Sequence, residues 1–341
     1  MAKTSLQGEE LRTRVESETD LIQTYLAPLA QGMPGAFGLL DDAALISPEP
    51  GTDLVVSSDP IVAGVHFLAG DRPGDIAWKA LAVNVSDLAA KGAKPLAYLM
   101  TLALPEAPER TWMAAFSDGL RGAQDTFGCW LIGGDTDRTP GPLAVGVTII
   151  GSLPSGTFVR RRGAAAGDHV FVTGTIGDAA LGLAIHRNPA LFADIMTEGD
   201  RRQLVGRYLR PSPRLGLAEE LRRHASAALD ISDGFLKDLA RLAGDLGLAF
   251  RLASVPTSAP VRTALANDAR VADAILAGGD DYELLVAVPP KSVEAFAQGA
   301  MRSGVNVSDL GALRVGSGLA VLAADGAPLE ARRFGYDHFS P

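Results

Sequence analysis

The chain has 341 residues, of which 47% are hydrophobic and 21% are charged, and its formal net charge at neutral pH is −9. This length allows two domains of ordinary size, and this composition is that of a soluble globular protein. No apolar run reaches the ~18–20 residues that a membrane span needs, and the longest basic run is Arg160-Arg161-Arg162. Neither a membrane nor duplex nucleic acid is therefore expected as a partner.

The N-terminal sequence and the cysteine content predict a cytoplasmic protein. The first residues, MAKTSLQGEELRTR, mix both charge signs and lack the apolar core of a secretory signal. The single cysteine, Cys129, cannot form an intramolecular disulfide, as is typical of a reducing compartment. The five histidines show no zinc-binding spacing, whereas the acidic balance suits hard cations bound by carboxylates.

In the first half of the chain, short β-like runs alternate with helical patterns. Strands are predicted at Ala43–Ile46, Leu54–Ser58, Ala97–Leu104, Trp130–Gly133 and Leu143–Leu153. Apolar residues recur at a spacing of three to four in Asp75–Lys91 and Pro108–Phe127, which predicts two helices between those strands. This alternation is typical of an α/β domain.

The segment Pro154–Gly167, which contains glycines and three arginines, predicts an inter-domain connection. Beyond it, strands are predicted at His169–Thr173, Ala227–Ile231 and Tyr282–Val288, and helices at Asp178–Ile185, Asp200–Tyr208 and Phe235–Leu246, before a mixed C-terminal portion. We therefore expect an α/β (α+β) protein of two domains, residues 1–153 and residues 154–341.

Five short stretches place aspartates at the end of an apolar run. They are FGLLDDAALI with Asp41 and Asp42, VVSSD with Asp59, NVSDLAAKGAKP with Asp87, LIGGDTDRT with Asp135, and ALDISDGF with Asp230 and Asp233. A related sixth stretch is AGGDDYELL, with Asp280, Asp281 and Glu283. An unpaired carboxylate in a dry interior is costly, and Mg²⁺ prefers carboxylate, hydroxyl and phosphate oxygens. The recurrence therefore predicts that these acids face metal ions and that the metal ions face phosphate.

Each stretch also has a purely structural interpretation. Asp233 could cap the helix that follows it, and Asp87 could pair with Lys91 four residues later on a helix surface. Asp281 is interpreted as a turn residue. Gly174–Gly177, ahead of a predicted helix, could offer backbone N–H groups to an anion or form an ordinary strand-to-helix turn.

The familiar nucleotide-binding motifs are absent from the sequence. There is no GxxxxGK[ST] loop, no GxGxxG after a first strand, and no protein-kinase signature. A bound nucleotide would therefore be held without those devices.

Several segments taken together resemble one family, thiamine-monophosphate kinase. They are DDAAL, SSDPIVAGVHF, WKALAVNVSDLAAKGAKP, LIGGDT, RRGAAAGDHVFVTGTIGDAALGL, RPSPRLGL, ALDISDGFLKDL, GGDDYELL and GYDHF, in family order. The resemblance implies transfer of the γ-phosphoryl group of ATP to thiamine monophosphate, giving thiamine diphosphate and ADP. It also implies a homodimer in which the N-terminal sheets form a β-barrel, an ATP site in that domain, and a C-terminal α/β domain that closes over the cleft.

The resemblance also assigns a role to each matching residue. The implied ligands of several Mg²⁺ ions are Asp42, Ser57, Ser58, Asp59, Asp87, Asp135, Asp230 and Asp233. The implied ATP contacts are Gly134, Asp135, Arg161 and Ser232, and the implied thiamine monophosphate contacts are His66, Asp280 and Tyr336. No catalytic general base is expected, because the acceptor is an anionic phosphate without a hydroxyl proton to remove. Without the resemblance, His66 is interpreted as a turn histidine packed on Phe67.

The sequence departs from the family pattern at four places. Leu40 replaces the usual glycine before the paired aspartates, Asp280 replaces a glutamate, and Lys91 replaces a methionine. An aromatic position near the C-terminus is shifted or lost around Arg333-Phe334. Two other functions stay open: a synthetase of the same fold superfamily that acts on another acceptor, and a non-catalytic nucleotide-binding homologue.

Overall fold

A computed structural model describes residues 13–329 and 334–337 of the chain. The chain divides into two compact units. The first unit runs up to Leu88 and includes Lys94–Ser155, and the second comprises Ala89–Ala93 and the chain from Gly156 onward. The C-terminal aromatic position was predicted to be shifted or lost around Arg333-Phe334, and Arg333 lies outside the described residues.

The first unit begins with a series of short helical segments. They are α1 (Glu18–Leu21), a π-helical turn (Ile22–Leu26) and two 3₁₀ segments (Ala27–Ala30 and Pro34–Leu39). The predicted strand at Ala43–Ile46 is wrong, because this segment joins no sheet. Leu45 donates its backbone N–H to the carbonyl of Gly35 at 2.8 Å, so a single bond to the preceding turn replaces the ladder that a strand needs.

A four-stranded sheet forms the centre of the first unit. Its strands are β1 (Thr52–Val62), β2 (Lys94–Leu104), β3 (Trp130–Arg138) and β4 (Ala144–Pro154), in the order β1-β4-β2-β3. Strands β2 and β3 are parallel and the other pairs are antiparallel. The helices are α2 (Pro73–Ala90) and α3 (Arg110–Phe127). This order leaves β1 and β3 as the two edges of an open sheet.

One face of this sheet packs against helix α3. The buried hydroxyl of Tyr98 on β2 donates to Oε1 of Gln124 on α3 at 2.8 Å. The same oxygen accepts the backbone N–H of Leu131 on β3 at 3.1 Å, and Nε2 of Gln124 donates to the carbonyl of Leu29 at 3.2 Å. One buried amide therefore satisfies polar groups from two strands and the N-terminal segment, as a dry interior requires.

The second unit contains two four-stranded sheets and seven helices in the described part of the chain. Sheet β6-β8-β5-β9 comprises β5 (His169–Thr173), β6 (Ala227–Asp230), β8 (Leu284–Val288) and β9 (Val307–Ala312). Sheet β10-β7-β11-β12 comprises β7 (Leu246–Arg251), β10 (Arg314–Val315), β11 (Gly318–Leu322) and β12 (Pro328–Leu329). The helices are α4 (Asp178–Arg187), α5 (Glu198–Leu209), α6 (Ala218–His224), α7 (Phe235–Ala243), α8 (Ala259–Asn267), α9 (Val271–Ala277) and α10 (Val293–Arg302).

Strand β8 separates two hydrophobic cores of the second unit. Leu285 and Ala287 belong to one core, and Leu284, Val286 and Val288 belong to the other. Since successive side chains of a strand point to opposite faces, both faces of β8 are buried. This explains why its sequence, LLVAV, is continuously apolar rather than alternating.

The predicted mixed α/β architecture is confirmed, with differences at the boundaries. Helix α7 ends at Ala243 rather than at Leu246, because the chain turns at Gly244 with φ +60° and Leu246 begins β7. Within the described residues, no helix is both long and apolar enough to cross a membrane.

Candidate functional site

Two pairs of polar residues join helix α2 to strand β1 in the first unit. The hydroxyl of Ser57 donates to a carboxylate oxygen of Asp87 at 2.5 Å. Asn84 is fully buried, and its side chain accepts the backbone N–H of Asp59 at 2.8 Å and donates to the carbonyl of Asp59 at 3.1 Å. Asn84 and Asp87 lie three residues apart on the helix and therefore face the same strand.

The side chain of Asn84 satisfies backbone groups of the edge strand β1. Because β1 is an edge strand, the outward N–H and C=O groups of Asp59 have no neighbouring strand to bind. The amide of Asn84 supplies one acceptor and one donor, so that it satisfies both groups at once. The backbone of Asp59 is thereby held in place beside the Ser57–Asp87 pair.

The ion pair between Asp87 and Lys91, which was the structural alternative for Asp87, is not formed. The carboxylate of Asp87 accepts from Ser57, whereas Nζ of Lys91 donates to the carbonyl of Ala228 within the second unit at 2.8 Å. The charge that replaces the family methionine is therefore bound to a backbone oxygen.

Ser58 and Asp135 lie on the other face of the sheet. The hydroxyl of Ser58 lies 2.9 Å from that of Thr148 on β4. The strand register aligns Ser58 with Thr148 and Leu99, and aligns Thr101, two residues further along β2, with Asp135. Since alternate residues share a face, Asp135 lies on the face of Ser58, opposite to that of Ser57.

The sheet order also separates these residues along the sheet. Asp59 is on one edge strand and Asp135 on the other, with two strands between them. At about 4.8 Å per strand, the separation along the sheet is about 14 Å. In a single chain, the first sheet therefore does not bring Asp135 next to Asp59.

Gly134 allows β3 to approach β2 closely. A Cβ atom at this position would lie 1.8 Å from the carbonyl oxygen of Met100, and its φ is +148°. Any other side chain would push the two strands apart. The glycine in LIGGDT therefore has a structural role, while its ATP contact stays a prediction.

The paired aspartates Asp41 and Asp42 lie in an exposed turn. The backbone N–H of Asp42 donates to a carboxylate oxygen of Asp41 at 2.8 Å. Leu40, which replaces the family glycine, has φ −105°, a value that any residue adopts. The turn therefore accommodates leucine without backbone strain at that position.

His66 is fixed in a turn after β1. The backbone N–H of Val62 donates to Nδ1 of His66 at 3.0 Å. The carbonyl of His66 accepts from Nζ of Lys79, a buried lysine on α2, at 2.9 Å. Because Nδ1 acts as an acceptor, the neutral ring carries its proton on Nε2 and can donate it to a ligand.

In the second unit, three motif segments meet through backbone hydrogen bonds. Ser232 and Ile231 of the DISDG turn accept the N–H groups of Asp280 and Tyr282 at 3.0 and 2.9 Å. The N–H of Tyr336, from the GYDHF segment, donates to the carbonyl of Asp233 at 2.7 Å. The predicted substrate contacts Asp280 and Tyr336 are therefore both tied to the turn that carries two predicted ATP and metal contacts.

Asp233 does not cap helix α7, so the structural alternative for this residue is wrong. The N-cap residue is Gly234, and no side chain caps the helix there. The carboxylate of Asp233 instead forms ion pairs with Arg241 at 2.7 Å and with Lys237 at 3.3 Å. The N–H groups of Ser232 and Asp233 donate to Asp238 at 3.1 and 2.9 Å. Burial raises the pKa of Asp238, against the opposing effects of the Asp233 N–H group and of Arg241.

The glycine-rich turn before α4 binds the carboxyl group of an aspartate from its own chain. The N–H groups of Gly177 and Ala179 donate to the carboxylate of Asp281 at 2.9 and 3.3 Å. Asp281 is buried, and burial raises its pKa to about 8. Of the two interpretations left open for Gly174–Gly177, the structure favours the ordinary strand-to-helix turn, because the N–H groups of Gly177 and Ala179 are already bound to a side chain of this protein. The interpretation of Asp281 as a plain turn residue missed this contact.

Glu283 is the centre of a buried charge network that sequence reasoning also missed. It is fully buried, and its carboxylate accepts from Arg207 Nη2 at 2.8 Å, from Arg214 Nε at 2.6 Å and from the hydroxyl of Thr173 at 2.7 Å. Two guanidinium groups compensate one carboxylate, as a buried charge requires. An acid inside the apolar run YELLVAV was the only sequence signal for it.

The donor chemistry of the predicted metal ligands is that of a magnesium site. All are carboxylate or hydroxyl oxygens, which Mg²⁺ prefers. Among residues 13–329 and 334–337, no three His, Cys, Asp or Glu side chains are grouped so as to hold a metal ion. Asp230 is buried at the end of β6, and Arg161 is exposed in the segment that follows β4. The metal and ATP roles of these residues stay predictions.

Comparisons with known proteins cover nearly the whole chain. The models of AIR synthase related protein match residues 40–153 with the N-terminal domain and residues 165–322 with the C-terminal domain. The thiamine-monophosphate kinase of Caulobacter vibrioides is 39% identical over 308 residues, which cover 89% of this chain and 86% of that protein.

Solved structures are also similar to this chain, among them the following two. Thiamine-monophosphate kinase from Stenotrophomonas maltophilia K279a shares 40% identity at a TM-score of 0.76, covering 84% of this chain and 90% of its own. AaThiL complexed with AMPPCP and TMP shares 29% identity at a TM-score of 0.74, covering 89% of this chain and 97% of its own. The resemblance seen in the sequence motifs is thus confirmed, and this chain belongs to the thiamine-monophosphate kinase family.

Proposed function

We propose that this protein transfers the γ-phosphoryl group of ATP directly to thiamine monophosphate, giving thiamine diphosphate and ADP. The observation that carries this proposal is the likeness to AaThiL in complex with AMPPCP and TMP, which extends over 89% of this chain. The 39% identity to a thiamine-monophosphate kinase over the same share of the chain supports it. The protein would then be a kinase whose acceptor is a phosphate group.

The predicted metal ligands would hold Mg²⁺ with carboxylate and hydroxyl oxygens. They are Asp42, Ser57, Ser58, Asp59, Asp87, Asp135, Asp230 and Asp233. When bound, Mg²⁺ supplies positive charge that offsets the repulsion between ATP and a second phosphate. The hydrogen bonds of Asn84 to the backbone of Asp59, and of Ser57 to Asp87, hold three of these residues in place without a ligand.

The remaining site residues would bind the two reactants. Gly134, Asp135, Arg161 and Ser232 would contact ATP, and His66, Asp280 and Tyr336 would contact thiamine monophosphate. His66 would donate Nε2–H to a phosphate oxygen, since its Nδ1 already accepts from Val62. The carboxylate of Asp280 would complement the cationic thiazolium ring.

The reaction needs alignment rather than a proton acceptor. The attacking oxygen belongs to a phosphate that is already anionic at neutral pH, so no general base is required. The protein's part is to bind both anions, orient them in line and exclude water. Residues held by hydrogen bonds to the backbone, such as His66 and Asp280, suit that role.

We also propose that two chains associate through the first sheet to form a β-barrel, and that the C-terminal domain closes over the ATP cleft. The sheet face that carries Ser58 also carries Leu54, Val56 and Leu99, and all three are exposed in the single chain. Exposed apolar residues grouped on one face are typical of an interaction surface. A charge at the most exposed of them, in Val56→Asp, should shift the protein from dimer to monomer in sedimentation velocity. An unchanged sedimentation coefficient would argue against the barrel.

ADP release with thiamine monophosphate as the acceptor tests the proposed function. We expect ADP to form only when thiamine monophosphate, ATP and Mg²⁺ are all present. ADP release that depends on a different phosphate or amide acceptor would favour a synthetase of the same superfamily. Tight ATP binding without ADP release would favour a non-catalytic homologue. A cytoplasmic location remains a prediction from the sequence.

A further inference from the structure

The segment Gly278–Glu283, here called the acceptor loop, has an unusual backbone. Asp280 and Tyr282 have φ values of +70° and +49°, although neither is a glycine. Side chains rarely adopt such values, because Cβ crowds the backbone, and they persist only where the surroundings hold them. The loop contains Asp280, the residue proposed to contact the acceptor.

One side of the acceptor loop is bound to the DISDG turn. The N–H groups of Asp280 and Tyr282 donate to the carbonyls of Ser232 and Ile231 at 3.0 and 2.9 Å. The N–H of Ile231 donates in return to the carbonyl of Glu283 at 2.8 Å. These bonds fix the distance between the two motifs, but they involve only the backbone.

The side chain of Asp281 binds the loop to a different element. Its carboxylate accepts the N–H groups of Gly177 and Ala179, at the N-terminus of helix α4. That end of the ten-residue helix has no side-chain cap of its own, since its N-cap residue is Gly177. The helix end and the carboxylate therefore satisfy each other in the interior.

Arg207 of helix α5 adds a third attachment. Its Nη2 donates to the carbonyl of Asp281 at 3.3 Å and to Glu283 Oε1 at 2.8 Å. Asp281 therefore has its side chain and its backbone carbonyl bound to two helices, while its neighbours on both sides bind the DISDG turn. This arrangement leaves the loop no freedom to relax to ordinary φ values.

We propose that Asp281 is a positioning residue for Asp280: its carboxylate, held at the N-terminus of α4, keeps the acceptor loop in the conformation that presents Asp280 to the acceptor. This inference rests on the proposed function, because it assumes that Asp280 contacts thiamine monophosphate. It assigns to Asp281 an effect on acceptor binding and none on ATP.

The test compares two buried aspartates at the same helix end. Asp281→Ala removes the acceptor of the two N–H groups. Asp178→Ala is the matched control, since Asp178 is the first residue of α4 and is also buried. Its carboxylate accepts from the hydroxyls of Thr175 and Ser258, neither of which belongs to the acceptor loop. Both variants should lower the melting temperature.

The kinetic constants separate positioning from stability. We expect Asp281→Ala to raise KM for thiamine monophosphate by about tenfold or more, with KM for ATP unchanged. Asp178→Ala should leave both KM values unchanged. Asp281→Asn, which keeps one acceptor oxygen, should fall between Asp281→Ala and the wild type. When Asp280→Ala is already present, adding Asp281→Ala should cause little further rise in KM for thiamine monophosphate, because Asp281 acts through Asp280.

Equal effects on both KM values, or an unchanged KM for thiamine monophosphate in folded Asp281→Ala, would overturn the inference. If Asp281→Ala does not fold, Arg207→Lys replaces it, and the same selective rise in KM is expected. Wild-type protein that releases no ADP with thiamine monophosphate would instead refute the proposed function, so the two failures are distinguishable.

Discussion

Replacing Asn84 by alanine should uncouple Asp59, a predicted metal ligand, from helix α2. Asn84 is fully buried and makes three hydrogen bonds: two to the backbone of Asp59 and one to the carbonyl of Ala80. In Asn84→Ala, the N–H and C=O of Asp59 at the edge of β1 lose their partner. The direct link between the backbone of Asp59 and the helix that carries Asp87 is then lost.

The cost in stability can be worked from these contacts. Each orphaned buried group costs about 1–3 kcal/mol, and Asp59, which is exposed, recovers part of this from water. We therefore expect Asn84→Ala to lower the free energy of unfolding by about 2–4 kcal/mol in urea titrations. The Mg²⁺ concentration for half-maximal activity should rise by about 10–100-fold, as is typical when a group that orients a metal ligand is removed.

Gln124→Ala is the matched control for this prediction. Gln124 is also a buried amide on a helix, and its side chain also makes three hydrogen bonds, to Tyr98, Leu131 and Leu29. It should lose comparable stability with no change in the Mg²⁺ requirement. If the two variants show the same Mg²⁺ dependence as the wild type, Asn84 only supports the fold, and the reasoning is refuted.

Three further predictions concern single carboxylates. Asp135→Asn should abolish ADP release and leave the circular dichroism spectrum and melting temperature unchanged, because the side chain is exposed; retained activity would remove Asp135 from the site. Asp233→Asn breaks ion pairs with the partly exposed Arg241 and Lys237, so its stability should fall by no more than about 1 kcal/mol. A large loss of turnover in that variant would support metal binding, and unchanged turnover would contradict it. The pKa of Asp281 is raised to about 8 from 3.8, mainly by burial, with Asp178 adding to the rise and Arg207 opposing it. The folded state therefore binds this proton more tightly than the unfolded state, and the resulting stabilisation is complete below about pH 4 and lost as the pH rises to about 8. Relative to Asp281→Asn, the wild type should lose up to about 1.4 kcal/mol of unfolding free energy per pH unit in this range. Parallel plots of unfolding free energy against pH for the two proteins would contradict this prediction.

Local patterns predicted most of the regular structure. The apolar run of β8 and the three-to-four spacing of α2 and α3 are sufficient to predict these elements, because the pattern of apolar residues within each element shows which of its faces are buried. The strand predicted at Ala43–Ile46 failed for the complementary reason. Its residues have a strand-like composition, but Leu45 bonds to the carbonyl of Gly35 in the preceding helical segment and the segment joins no sheet.

The polar partners could not be predicted, because they lie far apart in the sequence. Asp281 is about a hundred positions from the N–H groups of Gly177 and Ala179 that it accepts. Asn84 lies in the NVSDLAAKGAKP stretch, but its attachment to the backbone of Asp59 depends on which strand lies at the edge of the sheet. The sequence indicated where carboxylates occur, and only the fold indicates what each one binds.

Titrating Mg²⁺ into metal-free protein with ATP and thiamine monophosphate is the most direct measurement of the central claim. Release of ADP matched by formation of thiamine diphosphate, rising from none in excess EDTA to a plateau with Mg²⁺, is the expected result. Formation of thiamine diphosphate at an undiminished rate in excess EDTA would contradict the assignment of these carboxylates to metal-assisted phosphoryl transfer.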